Sequence, residues 1–115
     1  MSRTVCWYFE TPSGRLPARD FIDSLGVRAQ RKFFFVKGLL EALGRRLGYP
    51  HSKYLGDDIY EVRFCADEGG VRVLYFFFAG NNAVFTNGFL KKTGRTPPGE
   101  KCLAVERRRI FLKGQ

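Results

Sequence analysis

The chain has 115 residues, 44% of them hydrophobic with 12 phenylalanines, and 20 Lys+Arg against 11 Asp+Glu for a formal net charge of +9. That length fits one domain, residues 1–115, with an aromatic core, and the positive balance points to nucleic acid, an anionic surface or an acidic protein as partner. No apolar run approaches the ~20 residues that cross a bilayer, which argues against a membrane-spanning role.

The N-terminal stretch MSRTVCWYFE lacks the apolar segment of a secretory signal and runs directly into strand-like sequence. Val5, Trp7 and Phe9 alternate there with Cys6 and Tyr8. Cys6, Cys65 and Cys102 are odd in number and contain no Cys-x-x-Cys. They read as reduced, mostly buried thiols of a cytoplasmic protein. With His51 as the sole histidine, they make neither a nucleophile–base pair nor a metal-ligand cluster. No metal or cofactor is expected.

A turn holding Pro12 and Gly14 leads to a first helix near Leu16-Pro17, with Phe21, Ile22 and Leu25 on one face and a stop at Gly26. A second helix is expected from Val27 to Leu47. Ala29, Phe33, Val36, Leu40, Leu43 and Leu47 recur on one face, with Arg28, Arg31, Lys32, Glu41 and Arg45 on a solvated opposite face. Gly48 to Gly56 reads as a loop. Its Lys53 and Tyr54 could meet a nucleotide by charge and stacking, although such a pair is more often an ordinary loop.

From Ile59 the pattern changes to period two. IYEVRFC, VRVLYFFF and AVFTNGFLKK are three apolar segments separated by short polar turns. They predict a three-stranded antiparallel meander. Alternation sets Tyr60, Val62 and Phe64 against Glu61, Arg63 and Cys65. Counting through a loop at Ala66–Gly69 puts Arg63 opposite Arg72. A two-residue turn at Asn81-Asn82 puts Arg72 opposite Lys91, with Lys92 on the reverse face. Loops two residues longer or shorter would slide these pairs but keep the three cations together. Like charges aligned across a sheet repel, so the row suggests a bound anion, and a phosphodiester before others. The alternative is a set of solvated charges on an open sheet face. Leu74, Phe76, Phe85 and Phe89 share that face by parity, which calls for cover by the last helix or by a partner.

Thr96-Pro97-Pro98 resets the chain before a final helix at Glu100–Leu112, docked through Leu103, Ile110 and Phe111. Its acidic start and its Arg107–Arg109 end suit the helix dipole. The expected fold is α+β: two N-terminal helices packed on a small antiparallel meander, with a C-terminal helix.

The blocks LGDDIYEVRF, VRVLYFF and NGFLKKTGRTPPGE, in that order and spacing, resemble the phage-derived, HigB-like branch of the RelE/ParE toxin superfamily. The matching positions are Leu55–Asp57, Tyr60, Glu61 and Arg63; then Arg72, Val73, Tyr75 and Phe76; then Gly88, Phe89, Lys91, Lys92, Thr93, Thr96 and Pro97. The resemblance implies a RelE-like fold and a type II toxin with a helix-turn-helix antitoxin as partner. It also implies ribosome-dependent cleavage of mRNA, so that ribosome and mRNA are partners too. On this reading Arg63, Arg72 and Lys91 are the catalytic candidates, while Lys53, Tyr54, Lys92, Thr93 and Arg95 contact RNA. Two positions depart from the pattern: Asn87 stands where many relatives have His, and Phe111 where many have Tyr. Neither side chain moves a proton at useful pKa, so the general base is unassigned. Two rival readings follow, a DNA gyrase poison of the other branch and a non-catalytic phage or prophage nucleic-acid-binding protein.

Overall fold

A computed structural model describes residues 3–92 and 94–114. The chain runs β1 (Val5–Tyr8), α1 (Pro17–Asp23), α2 (Val27–Leu43), a 3-10 turn (Gly44–Arg46), β2 (Ser52–Gly56), β3 (Ile59–Ala66), β4 (Gly69–Phe78), β5 (Asn82–Lys91) and α3 (Pro98–Lys113). The strands form one sheet in the order β1-β5-β4-β3-β2.

This corrects the expected three-stranded meander on three counts. The sheet has five strands, and it is mixed, because β1 pairs parallel with β5. The segment taken for a loop contains β2, an edge strand antiparallel to β3. The third concerns the layers: α1, only seven residues long, and α2 cover one face of the sheet, while α3 covers part of the other. The first core joins Ile22 of α1 and Phe33, Val36 and Leu40 of α2 to Val62, Val73, Tyr75 and Phe85. The second joins Ala104 and Phe111 of α3 to Ile59, Leu74, Phe76, Val84 and Phe89. Leu103 and Ile110, expected to dock α3, are exposed instead. In the N-terminal strand Cys6 and Tyr8 pack on the core, while Val5 and Trp7 face out. The thiols are all free, but only Cys6 is even half-buried; Cys65 and Cys102 are exposed. Among the described residues no helix is long and apolar enough to cross a membrane.

Turn chemistry sets the registers. Asp57 and Asp58, both at positive φ (54° and 64°), join β2 to β3 as a two-residue primed turn that matches strand twist. Asp67-Glu68 joins β3 to β4, with Ala66 already paired to Gly69. Glu68 accepts the backbone N–H of Gly26 at 2.6 Å and so caps α2 across the molecule, a bond that lowers its carboxyl pKa. The β4–β5 turn is Ala79-Gly80-Asn81 and not Asn81-Asn82; Ala79 and Gly80 take the positive φ values, and Asn82 already pairs with Phe78. That earlier turn alone would displace β5 by an odd number of residues and send Lys91 to the wrong face. A bulge corrects it. Leu74 pairs with Asn87 but Tyr75 pairs with Phe85, which leaves Thr86 as the extra residue. The bulge also puts Phe85 into the α1/α2 core, contrary to simple parity, and leaves Val84 on the α3 side.

Candidate phosphate-binding face

Beyond the apolar seam under α3, the same face of β2–β5 turns cationic. Arg63 pairs directly with Arg72. Lys91 does not pair with Arg72 as expected; it lies opposite Gly70, and Arg72 lies opposite Phe89, a slide of two residues that preserves the face. Lys53 pairs with Glu61 and so joins the row from the edge strand. Lys53, Arg63, Arg72 and Lys91 thus come together on one face around a single carboxylate, Glu61.

Glu61 is 1% exposed. Its Oε2 lies 3.7 Å from Arg63 Nε and 3.9 Å from Arg72 Nε, while its Oε1 accepts a hydrogen bond from the Thr96 hydroxyl at 2.8 Å. The two ion pairs are too long to be hydrogen bonds. Both Nε atoms are buried and without a hydrogen-bond partner. The Arg72 guanidinium turns toward the strand ends, where Nη1 donates to the Val71 carbonyl at 2.9 Å and, more weakly, to that of Phe64 at 3.5 Å. It lies beside Gly70: a Cβ built there would stand 3.5 Å from Nη1. Arg72 is therefore the inner cation of the row, 8% exposed, with Arg63 and Lys91 half-buried and Lys53 exposed. Burial lowers the Arg72 pKa from its ordinary value, with Glu61 opposing and Arg63 reinforcing. Lys91 is held below the usual lysine range by desolvation first and then by the Arg72 charge; Glu61 opposes, and Arg63 and Lys53 add to the depression. The expectation of fully solvated charges does not describe Arg72 or Glu61.

Tyr54 sits on the reverse face, its ring 4.8 Å from that of Tyr60 and its hydroxyl accepting the Asp58 N–H. Lys92 is exposed just past the end of β5, and Arg95 is exposed in the connection to α3. Thr93 lies outside the described residues. Among the described residues no three His, Cys, Asp or Glu side chains gather as a metal-ligand group.

The two departures from the family pattern are structural. Asn87 is 4% exposed and donates through Nδ2 to the Glu100 side chain at 3.1 Å and to its carbonyl at 3.3 Å. Phe111 packs on Phe76 and Phe78, ring centroids 5.5 and 5.1 Å away. Further clamps fix α3: Lys101 to Asp57 at 3.0 Å, Arg108 to Asp58 at 3.4 Å, and Arg107 to the carbonyl of the bulged Thr86 at 3.0 Å.

Sequence reasoning missed Glu61 as the centre of the row, although its parity with Arg63 was plain. It also missed Thr96 and Tyr49, whose ring lies 4.9 Å beneath the Arg63 guanidinium. Those two reach the row from loops, where alternation carries no information.

A family model, the phage-derived Gp49-like protein family (DUF891), matches residues 20–109. The chain belongs to this family. The match begins in α1 and ends in α3, and it includes every residue of the cationic row. No curated protein matches the chain.

Proposed function

We propose that this Gp49-like protein is the toxin of a type II toxin–antitoxin pair and a ribosome-dependent mRNA endonuclease of the RelE/ParE, HigB-like kind. The observation that carries the reading is the row itself. Lys53, Arg63, Arg72 and Lys91 outnumber the one carboxylate among them, and two buried arginine Nε donors lack hydrogen-bond partners. A buried polar group without a partner costs about 1–3 kcal/mol. A phosphodiester would supply acceptors and negative charge together, in the geometry that guanidinium favours.

In the reaction, the 2′ oxygen bonds to phosphorus, the P–O5′ bond breaks, one proton leaves the 2′-hydroxyl and one reaches O5′. Arg63 holds the phosphate and Arg72 supports it from within, so that charge gained in the transition state meets preorganised cations. Lys91 stands near the leaving oxygen, where a depressed pKa favours proton transfer. The ribosome supplies the mRNA geometry. Lys53, Lys92, Thr93 and Arg95 guide the flanking backbone. A helix-turn-helix antitoxin neutralises the toxin by masking the row, and it should co-purify with it.

One observation favours a second reading. The positions where relatives carry His and Tyr are here a buried asparagine tied to Glu100 and a phenylalanine by which α3 packs on the sheet. A non-catalytic nucleic-acid-binding protein needs nothing more there. The deciding experiment induces wild type, Arg63→Ala and Arg72→Ala in bacteria and compares translation, mRNA 5′ ends and DNA supercoiling. Cuts in translated messages that vanish in both variants support the endonuclease. Growth arrest with DNA damage and no cuts identifies a gyrase poison, and absence of toxicity favours the non-catalytic reading.

A further inference from the structure

The turn between the 3-10 segment and β2 presents a ring at the border of the cationic row. Tyr49 is 76% exposed and belongs to neither apolar core. Its position is nevertheless fixed. The N–H groups of His51 and Ser52 both donate to the Gly48 carbonyl at 3.0 Å, and the Arg63 N–H donates to the His51 carbonyl at 2.9 Å. Arg63 thus anchors the turn through its backbone and meets the ring through its guanidinium, 4.9 Å from the centroid. Behind the turn, the His51 ring stands edge-on to Phe35, 6.4 Å away, and Phe35 is 62% exposed. A large ring that is pinned and still mostly open adds little to the core; it is preorganised to contact something else.

We propose that Tyr49 is a stacking platform for a base of single-stranded RNA whose adjacent phosphate is held by Arg63. The inference rests on reading the row as a phosphate site and adds the nucleobase to it. Arg63 takes one side of the ring, and the exposed remainder is available to a base. The charge beside it suits a polyanion better than an apolar peptide. An unpaired base has a free π-face for such a ring, whereas bases of an A-form duplex are already stacked and out of reach of side chains. Stacking of this kind tolerates any base, so Tyr49 would add affinity and register with little sequence preference.

The test uses the full chain and a short 2′-O-methyl RNA, which 2′-hydroxyl attack cannot cleave, labelled with 2-aminopurine. The duplex of the same sequence serves as control. Wild type should bind the single strand with a change in 2-aminopurine fluorescence. Tyr49→Leu should bind it roughly tenfold more weakly and lose that change, by the usual effect of removing one stacking ring. Tyr49→Phe should match wild type, and duplex binding should be the same for all three. Tyr49→Ser gives a second truncation should the leucine variant fold poorly. Single-strand affinity unchanged in every Tyr49 variant, together with a loss in Arg63→Ala, overturns the platform and leaves the phosphate site standing. No binding of the single strand by wild type overturns both.

Discussion

Along β4, Phe76 and Leu74 lie in an apolar seam under α3, whereas Arg72, two residues earlier on the same face, lies among cations. The neighbouring strands repeat the change. On β3 it falls between Ile59 and Glu61, and on β5 between Phe89 and Lys91. One face of one sheet therefore holds two surfaces; alternation carries one into the other on β3 and β4, and the Thr86 bulge keeps β5 in step. The seam removes apolar area from water and stabilises the fold. The cationic half sets like charges side by side, leaves two arginine donors without hydrogen bonds and keeps a carboxylate nearly dry. A half that weakens the fold and is still built this closely is the half to which we assign the proposed function.

The contrast breaks most visibly if stability and anion binding fail to separate between regions. Phe33, fully buried against Phe85 in the core on the opposite face, is far from every cation of the row in its packing. Phe33→Ala should cost about 3–5 kcal/mol in urea unfolding, while any surviving folded protein keeps wild-type affinity for phosphate. Glu61→Gln should behave otherwise. It removes the single countercharge of Arg63 and Arg72 but retains an acceptor for Thr96. We expect a loss of about 2–3 kcal/mol, below the usual cost of breaking a buried pair because both ion pairs are long. Added sulfate should restore more stability to this variant than to wild type. Equal responses to sulfate would show that the row does not act as an anion site.

The helix faces were legible because Phe33, Val36 and Leu40 repeat at helical spacing, and Arg63 opposite Arg72 was legible from a short polar turn. Four things were not. Ser52–Gly56 is an edge strand paired on one side only, so its sequence carries no alternation, and pairing with β3 makes it a strand. The parallel contact of β1 with β5 joins residues from opposite parts of the chain, beyond any local pattern. The shifted turn and the Thr86 bulge together moved Phe85 to the other core and slid Lys91 from Arg72 to Gly70, and the bulge is supported by the side chain of Arg107 on α3. Lys91 reached the expected face because the shifted turn and the bulge together displaced it by an even number of residues. Glu61 was visible as a residue but not as a buried one, since its burial depends on the loop that brings Thr96 over it.

High pH sharpens the comparison from the apolar side. Tyr75 is fully buried with its hydroxyl 2.6 Å from that of Ser52, and burial pushes its pKa up to about 12 from 10.0, the Ser52 bond opposing and nearby Tyr60 and Cys6 adding less. The unfolded chain therefore releases this proton first. The stabilisation is whole below pH 10 and falls as pH rises toward 12, by about 2–3 kcal/mol at full titration. The Cys6 thiol, raised to about 11 mainly by burial, loses stability in the same direction from pH 9 upward. Alkaline melts of Tyr75→Phe should show a shallower decline than wild type. A decline of equal slope would assign the effect to other groups.

The smallest expected effect probes the boundary between the halves. Thr96 sits two residues before α3 begins, and its hydroxyl donates to Glu61, so one hydrogen bond links the helix that closes the seam to the carboxylate that organises the cations. Thr96→Val keeps the shape and removes the donor. Its cost in unfolding should be about 1.5 kcal/mol, the low end for a bond to a charged group, because Glu61 retains both arginines as charge partners. The more telling readout is Glu61→Gln combined with Thr96→Val. If the hydroxyl acts through the carboxylate, the double variant should be less destabilised than the two single effects added together, since a neutral amide gains less from the threonine proton than the carboxylate does. Strict additivity would mean that the loop and the row are independent, and that α3 closes its seam without regard to the charges beside it.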